Sequence, residues 1–248
     1  MNTFSSKSLF FFLPIFNTIW IAFSLTTSYI IAAKFGHITT SVPYLSGIVK
    51  YLPEEMFAKI AFTIAAGLDV LTYYSMYKYQ KISHPKSSQV CNIIVLILGL
   101  LSSLGLLLGT HVSSNISTTV HLVAAFLAFG LEAVYNICHC IRYYRSVMWK
   151  DHRYMITARL VLCLITTVPT IMFVVFKQIS CPFLKICDYN FIHSFLAVHE
   201  WLITAAMYSY KMTFAQELQH LRLTLPKKLK DDWICENKTS DNDGEFTV

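Results

Sequence analysis

At 248 residues the chain has room for one large domain or two small ones. It is 55% hydrophobic and only 14% charged, against about 25% charged in an average soluble domain, which excludes a soluble globular protein and a disordered chain alike. The net charge of +6 sits in short basic clusters between apolar runs, the pattern of a multi-spanning membrane protein and not of a nucleic-acid binder.

A bilayer core of about 30 Å needs about 20 apolar residues of helix. Six runs reach that length: 9–33, 56–77, 90–110, 120–141, 155–176 and 191–210. They are continuous and not alternating, so helices are expected rather than barrel strands. The expected fold is all-α, a six-helix bundle, with an N-terminus at 1–8, a membrane domain at 9–213 and a tail at 214–248. The first run carries no charge; it exceeds the roughly 7–15 residues of a signal-peptide core, and no A-x-A site follows, so a span is expected. The third run holds Gly105 and Gly109 in a G-x-x-x-G step, which lets helix backbones approach closely within the bundle or between two copies. Pro169 predicts a kink in the fifth run.

Lys and Arg counts orient the chain. One side collects 14 of the 20, including Lys78, Arg142 and, in the tail, Lys211 and Lys227; the other collects 5, among them Lys34 and Lys50. Both termini are therefore expected in the cytoplasm. On the other side, Cys181 and Cys187 share one short loop; a disulfide or two free thiols both fit, and a disulfide requires an oxidising compartment. Two sequons occur, at Asn115 and Asn237. The first falls in a short luminal loop, and the second is cytoplasmic in this topology. The tail begins amphipathic, with Phe214, Leu218 and Leu221 on one side.

A charge at mid-bilayer costs about 2.5–3.5 kcal/mol on insertion scales, so ionisable residues inside runs are informative. Asp69 lies in the second, His121 and Glu132 in the fourth, Arg159 in the fifth, and His199 and Glu200 in the sixth. His121 and Glu132, close to three helical turns apart, are expected on one face. Two readings fit these residues: a polar pathway or buried site for a headgroup or ion, and pairs that lock the bundle. No spacing of Cys and His reads as a zinc site. No Gly-rich phosphate loop, Ser/His/Asp arrangement or H-E-x-x-H occurs. No catalytic residue, metal or cofactor is expected.

Several ordered motifs carry a resemblance. The first loop reads Gly36-His37, then Pro43-Tyr44-Leu45-Ser46, then Pro53-Glu54; the second run ends Met76-Tyr77-Lys78-Tyr79; His121 opens the fourth. The sixth has Glu200-Trp201, followed by Thr213-Phe214 and Glu217-Leu218. In order and spacing, over roughly residues 13–225, the chain resembles the damage-regulated autophagy modulator (DRAM) family, within the wider Frag/DRAM/Sfk group. It departs from that pattern at Asp69 and Glu132, where small residues are usual. The resemblance implies a six-span, non-enzymatic regulator of autophagy in lysosomal or other endomembranes, with membrane lipids and membrane proteins as partners and a homo-oligomer possible in principle. It also leaves open a Golgi or plasma-membrane relative acting in surface signalling or in lipid remodelling of glycolipid-anchored proteins. The intramembrane carboxylates keep a third reading in play, a transporter of a small solute, proton or lipid.

Overall fold

The computed structural model describes the backbone of residues 9–38, 40, 42–84, 88–112, 116–146, 149–183 and 189–221, and their side chains except at 146–152, 176–183 and 189–192. Among these residues every regular element is helical. Helix α1 spans Leu9–Lys34, α2 Glu54–Ser83 and α3 Gln89–His111. The fourth rod is composite: α4 at Thr118–Ala125, a π-helical segment at Phe126–Leu131, and α5 at Glu132–Ser146. Helix α6 spans Trp149–Phe183, α7 Tyr189–Met212, and the short α8 Ala215–Leu218. Each apolar run of the sequence falls inside one rod.

Among the described residues, five of the six rods are long and apolar enough to cross a membrane. The sixth, α7, has its hydropathy lowered by His193, His199, Glu200 and Lys211. The chain is an integral, multi-pass membrane protein. Its surface agrees: Ile19, Ile60 and Leu164 are each more than 60% exposed along rod faces. Water would not tolerate so much contiguous apolar surface, whereas lipid solvates it.

The rods close into a ring in chain order: α1 on α2, α2 on α3, α3 on the fourth rod, α5 on α6, α6 on α7, and α7 back on α1. Small residues set these contacts. On α2, Ala58, Ala61 and Ala65 are buried at helical spacing, and the indole Nε1 of Trp20 donates to Ala61 O at 2.8 Å. On α3, a Cβ at Gly105 would lie 2.4 Å from Ala128 N, and one at Gly99 would lie 2.7 Å from the Tyr73 ring. The glycine face of α3 is thus consumed inside one chain, packed against the fourth rod and Tyr73.

Two sequence expectations change here. The boundary at 213/214 assigns Phe214 onward to a tail, yet Phe214, Ala215, Glu217 and Leu218 are buried and α8 packs on α1 and α2. Their apolar side chains gain more from the bundle than from the interface. The shared face of His121 and Glu132 also fails: an inserted residue of π register turns everything after it by about 100° relative to a regular helix. Cys187, Asn115, Asn237, Lys227 and the chain beyond Leu221 lie outside the described residues, as does the side chain of Cys181.

Candidate functional site: a charged cluster inside the helix ring

Asp69 continues the inward stripe of α2, four residues after Ala65. It is 2% exposed, and its carboxylate is fully partnered. The amide Nδ2 of Asn17 on α1 donates to Oδ1 at 2.8 Å. The ammonium of Lys211 on α7 donates to Oδ2 at 2.9 Å, and the Tyr208 hydroxyl approaches the same oxygen at 3.4 Å. The sequence alone assigns Lys211 to the tail, because the apolar run stops at Tyr210. It belongs to the bundle, since the inward face of α7 runs through Glu200, Thr204, Tyr208 and Lys211 at helical spacing. Removing it from the cytoplasmic count leaves the charge bias intact.

Glu132, wholly buried at the start of α5, faces the same lysine, with its Oε1 3.7 Å from Lys211 Nζ. Its other oxygen accepts from the Tyr73 hydroxyl on α2. Ser102 on α3 lies 2.9 Å from that oxygen and 3.0 Å from Ala128 O in the π segment, so its one proton serves either. The Lys211 ammonium also sits 4.5 Å from the centre of the Tyr208 ring and 5.3 Å from that of Tyr73. Five of the six rods therefore contribute a side chain to this cluster of one lysine between two carboxylates. With all three ionised, this triad carries an excess of one negative charge.

The remaining rod, α6, supplies a separate pair. Arg159 of α6 binds Glu217 of α8 in a fork, at 2.5 and 2.7 Å. Its Nε donates to Thr213 Oγ1 at 2.9 Å, and Nη2, one arm of the fork, also donates to Thr213 O at 3.0 Å. The guanidinium also lies 4.1 Å from the Tyr143 ring centre. Planar bidentate geometry of this kind suits arginine and not lysine.

At the other end of the ring the first loop is clamped to the helices. His37 Nδ1 and Glu54 Oε1 are 2.6 Å apart. Leu45 N donates to Glu200 Oε2 at 2.8 Å, and Trp201 Nε1 donates to Pro43 O at 3.0 Å. The rings of Tyr44 and His193 meet edge-on at 4.4 Å. Pro53 precedes α2 as its N-terminal cap residue. Every motif element of the first loop thus meets α7 or the head of α2.

Of the six residues singled out as an intramembrane site, Asp69 and Glu132 meet through Lys211. Arg159 stands apart in its own pair. Glu200 binds the first loop, and His121 Nδ1 pairs with Val112 O at 3.1 Å. His199 Nδ1 returns to Phe195 O on its own helix at 2.7 Å. Sequence reasoning missed Asn17, Tyr73, Ser102, Tyr208 and Lys211, whose signal was helical spacing on an inward face. Glu217 and Thr213 were visible as motif residues without a role. Among the described residues no group of three or more His, Cys, Asp or Glu is placed to hold a metal ion.

Between the loop and the triad lies a cavity of about 110 Å³. Leu45 and Ser46 of the loop line it, as do Asp69, Tyr208 and Lys211. Room of this size exceeds what a single water needs, about 10–15 Å³ on the same measure.

The family model for the Frag1/DRAM/Sfk1/Cwh43P N-terminal domain matches residues 9–221. The chain belongs to this family. The match includes the Thr213–Leu218 segment that Arg159 holds. The DNA damage-regulated autophagy modulator protein 2 of Bos taurus is 26% identical over 240 residues, covering 88% of this chain and 87% of that protein. The DNA damage-regulated autophagy modulator protein 1 of Mus musculus is 25% identical over 235 residues, covering 90% and 96%. The modulator of macroautophagy TMEM150B of Danio rerio is 26% identical over 226 residues, covering 87% and 90%. No solved structure matches the chain.

Proposed function

We propose that this family member is a six-span, non-enzymatic modulator of autophagy in lysosomal or other endomembranes, with both termini in the cytoplasm. The observation that carries the reading is the family match over residues 9–221 together with relatives named as autophagy modulators over nearly their whole lengths. The structure supports a scaffold: its charged residues are tied into pairs that hold helices together, and its lipid-facing surface is broad and apolar. Such a scaffold acts through membrane lipids and through membrane proteins docked on its outer faces, or through a second copy of itself.

The test is twofold. A copy tagged inside 231–248 is located against lysosomal, Golgi and plasma-membrane markers. Autophagic flux is then measured under starvation, with the protein depleted and restored. Lysosomal location with flux that follows the protein's level supports the reading. Flux indifferent to both depletion and restoration overturns it.

One observation favours a second reading, transport of a small solute: the cavity reaches from the first loop to Asp69 and Lys211. Neutralising Asp69 and Glu132 together then abolishes flux in proteoliposomes, whereas undiminished flux removes this site from consideration.

A further inference from the structure

The helix ring closes unevenly between the fourth rod and α6. Helix α6 packs along α5, but it meets the π segment only marginally and α4 hardly at all. The first half of the fourth rod therefore stands off from α6, and a crevice of about 310 Å³ lies between them, with Ile203 of α7 also on its wall. Leu122, Phe126 and Phe129 line one side, and Phe173 and Val174 line the other. A Cβ at Gly130 would lie 3.1 Å from the Phe126 ring, so the glycine lets this ring fold back on its own helix. Single π turns of this kind recur at functional sites.

The walls decide what kind of guest fits. Among the described residues, the polar side chains that line the crevice are Thr170 and Glu200. The Thr170 hydroxyl donates to Thr166 O at 2.7 Å, and Glu200 is turned to the first loop, where it accepts from Leu45 N. Water asks for about two to four polar partners, which a wall of aromatic and aliphatic side chains does not supply. The rim is continuous with the lipid-facing surface, since Val123, Phe126 and Val174 are exposed. The crevice thus opens sideways into hydrocarbon, the entrance that a chain from the bilayer requires. Its volume is roughly twice that of the engineered cavity of about 150 Å³ that admits benzene, which is room for about a dozen carbons. A sterol is a rigid plate whose hydroxyl asks for a partner, and both polar side chains here are engaged elsewhere. We propose that the crevice between the first half of the fourth rod and α6 is a binding site for one acyl chain of a bilayer phospholipid, whose headgroup stays at the membrane surface. The assignment is independent of the autophagy reading, since it concerns the purified protein alone.

The full chain is reconstituted in phosphatidylcholine nanodiscs that carry a trace of phosphatidylcholine with a photoactivatable diazirine in one acyl chain. It is then moved into detergent, which strips loosely held lipid, and illuminated. The expected result is adducts confined to residues 122–130 and 170–174, which excess unlabelled phosphatidylcholine displaces. Val174→Trp narrows the crevice from α6, and Val123→Trp narrows it from α4. Each lowers the adduct yield about tenfold, roughly what two lost methylene contacts are worth. Leu164→Trp places the same bulk on the lipid-exposed side of α6 outside the crevice, and it leaves the yield at the parent's value. All three positions are exposed, so the thermal midpoints stay close to the parent's. Four results overturn the proposal: no retained adduct, adducts spread evenly over the outer faces, adducts that cholesterol displaces and phosphatidylcholine does not, or a yield untouched by both Val174→Trp and Val123→Trp.

Discussion

The two ends of the helix ring are held by different physics. Around Lys211, charged side chains are buried among five rods, and each meets a polar or charged partner from another helix. At the first loop the ties are a histidine–glutamate contact and two hydrogen bonds that involve backbone groups at Leu45 and Pro43. The difference lies in what happens when a partner is lost. A buried charge left alone forfeits far more than a neutral backbone carbonyl, which loses one ordinary hydrogen bond. The charged cluster therefore specifies how the rods assemble, and the loop clamp specifies how the assembled ring is capped.

Lys211→Met gives the sharpest test, since it strands Asp69 and Glu132 together. Breaking one partner out of a buried ion cluster costs about 3–5 kcal/mol. The expected outcome is loss of monodisperse protein on size-exclusion chromatography in detergent. The triple variant Asp69→Asn, Glu132→Gln, Lys211→Met should recover most of it. Failure of that rescue would show that the lysine does more than balance charge.

Glu217→Leu comes next. It leaves Arg159 without its carboxylate but still beside Thr213 and Tyr143. The expected loss is up to about 3 kcal/mol, below the Lys211 case because a long arginine can snorkel toward the interface. The readout is a lowered thermal midpoint together with protease cleavage near residue 214, as α8 leaves the bundle.

Trp201→Phe removes the bond to Pro43 O and keeps most of the ring. It should cost about 1 kcal/mol, with faster cleavage of the 34–53 loop by added protease and little change in the midpoint. A midpoint drop as large as that of Lys211→Met would erase the distinction between the two ends. Lys59→Ala is the smallest change. Its pair with Glu55 is 2.8 Å long but partly solvated, and exposed pairs of this kind are worth about 0.5 kcal/mol or less. Its midpoint should equal the parent's within error.

Much of this was legible in the chain itself. Asp69 could be read as inward because Ala58, Ala61 and Ala65 precede it at helical spacing. Arg159 could be read as paired, because an arginine in an apolar run has few other ways to exist. Which carboxylate it would meet could not: Glu217 lies past the end of the last apolar run, and only the packing of α8 under the bundle brings it within 2.7 Å. The π segment at 126–131 was equally hidden. No residue pattern announced it, yet it re-aims Glu132 and ends the shared face with His121.

The sequence by itself determined an all-helical membrane chain of six apolar runs, because a bilayer leaves the backbone no other open choice than to satisfy its own hydrogen bonds within each segment. It also determined the family, through short motifs in fixed order. The tertiary structure alone decided how charges pair: Lys211 with Asp69 and Glu132, Arg159 with Glu217, Glu200 with the first loop. Those partners lie between 58 and 155 residues apart in the chain. At such separations no local period links them; only closure of the helix ring places them within reach of one another.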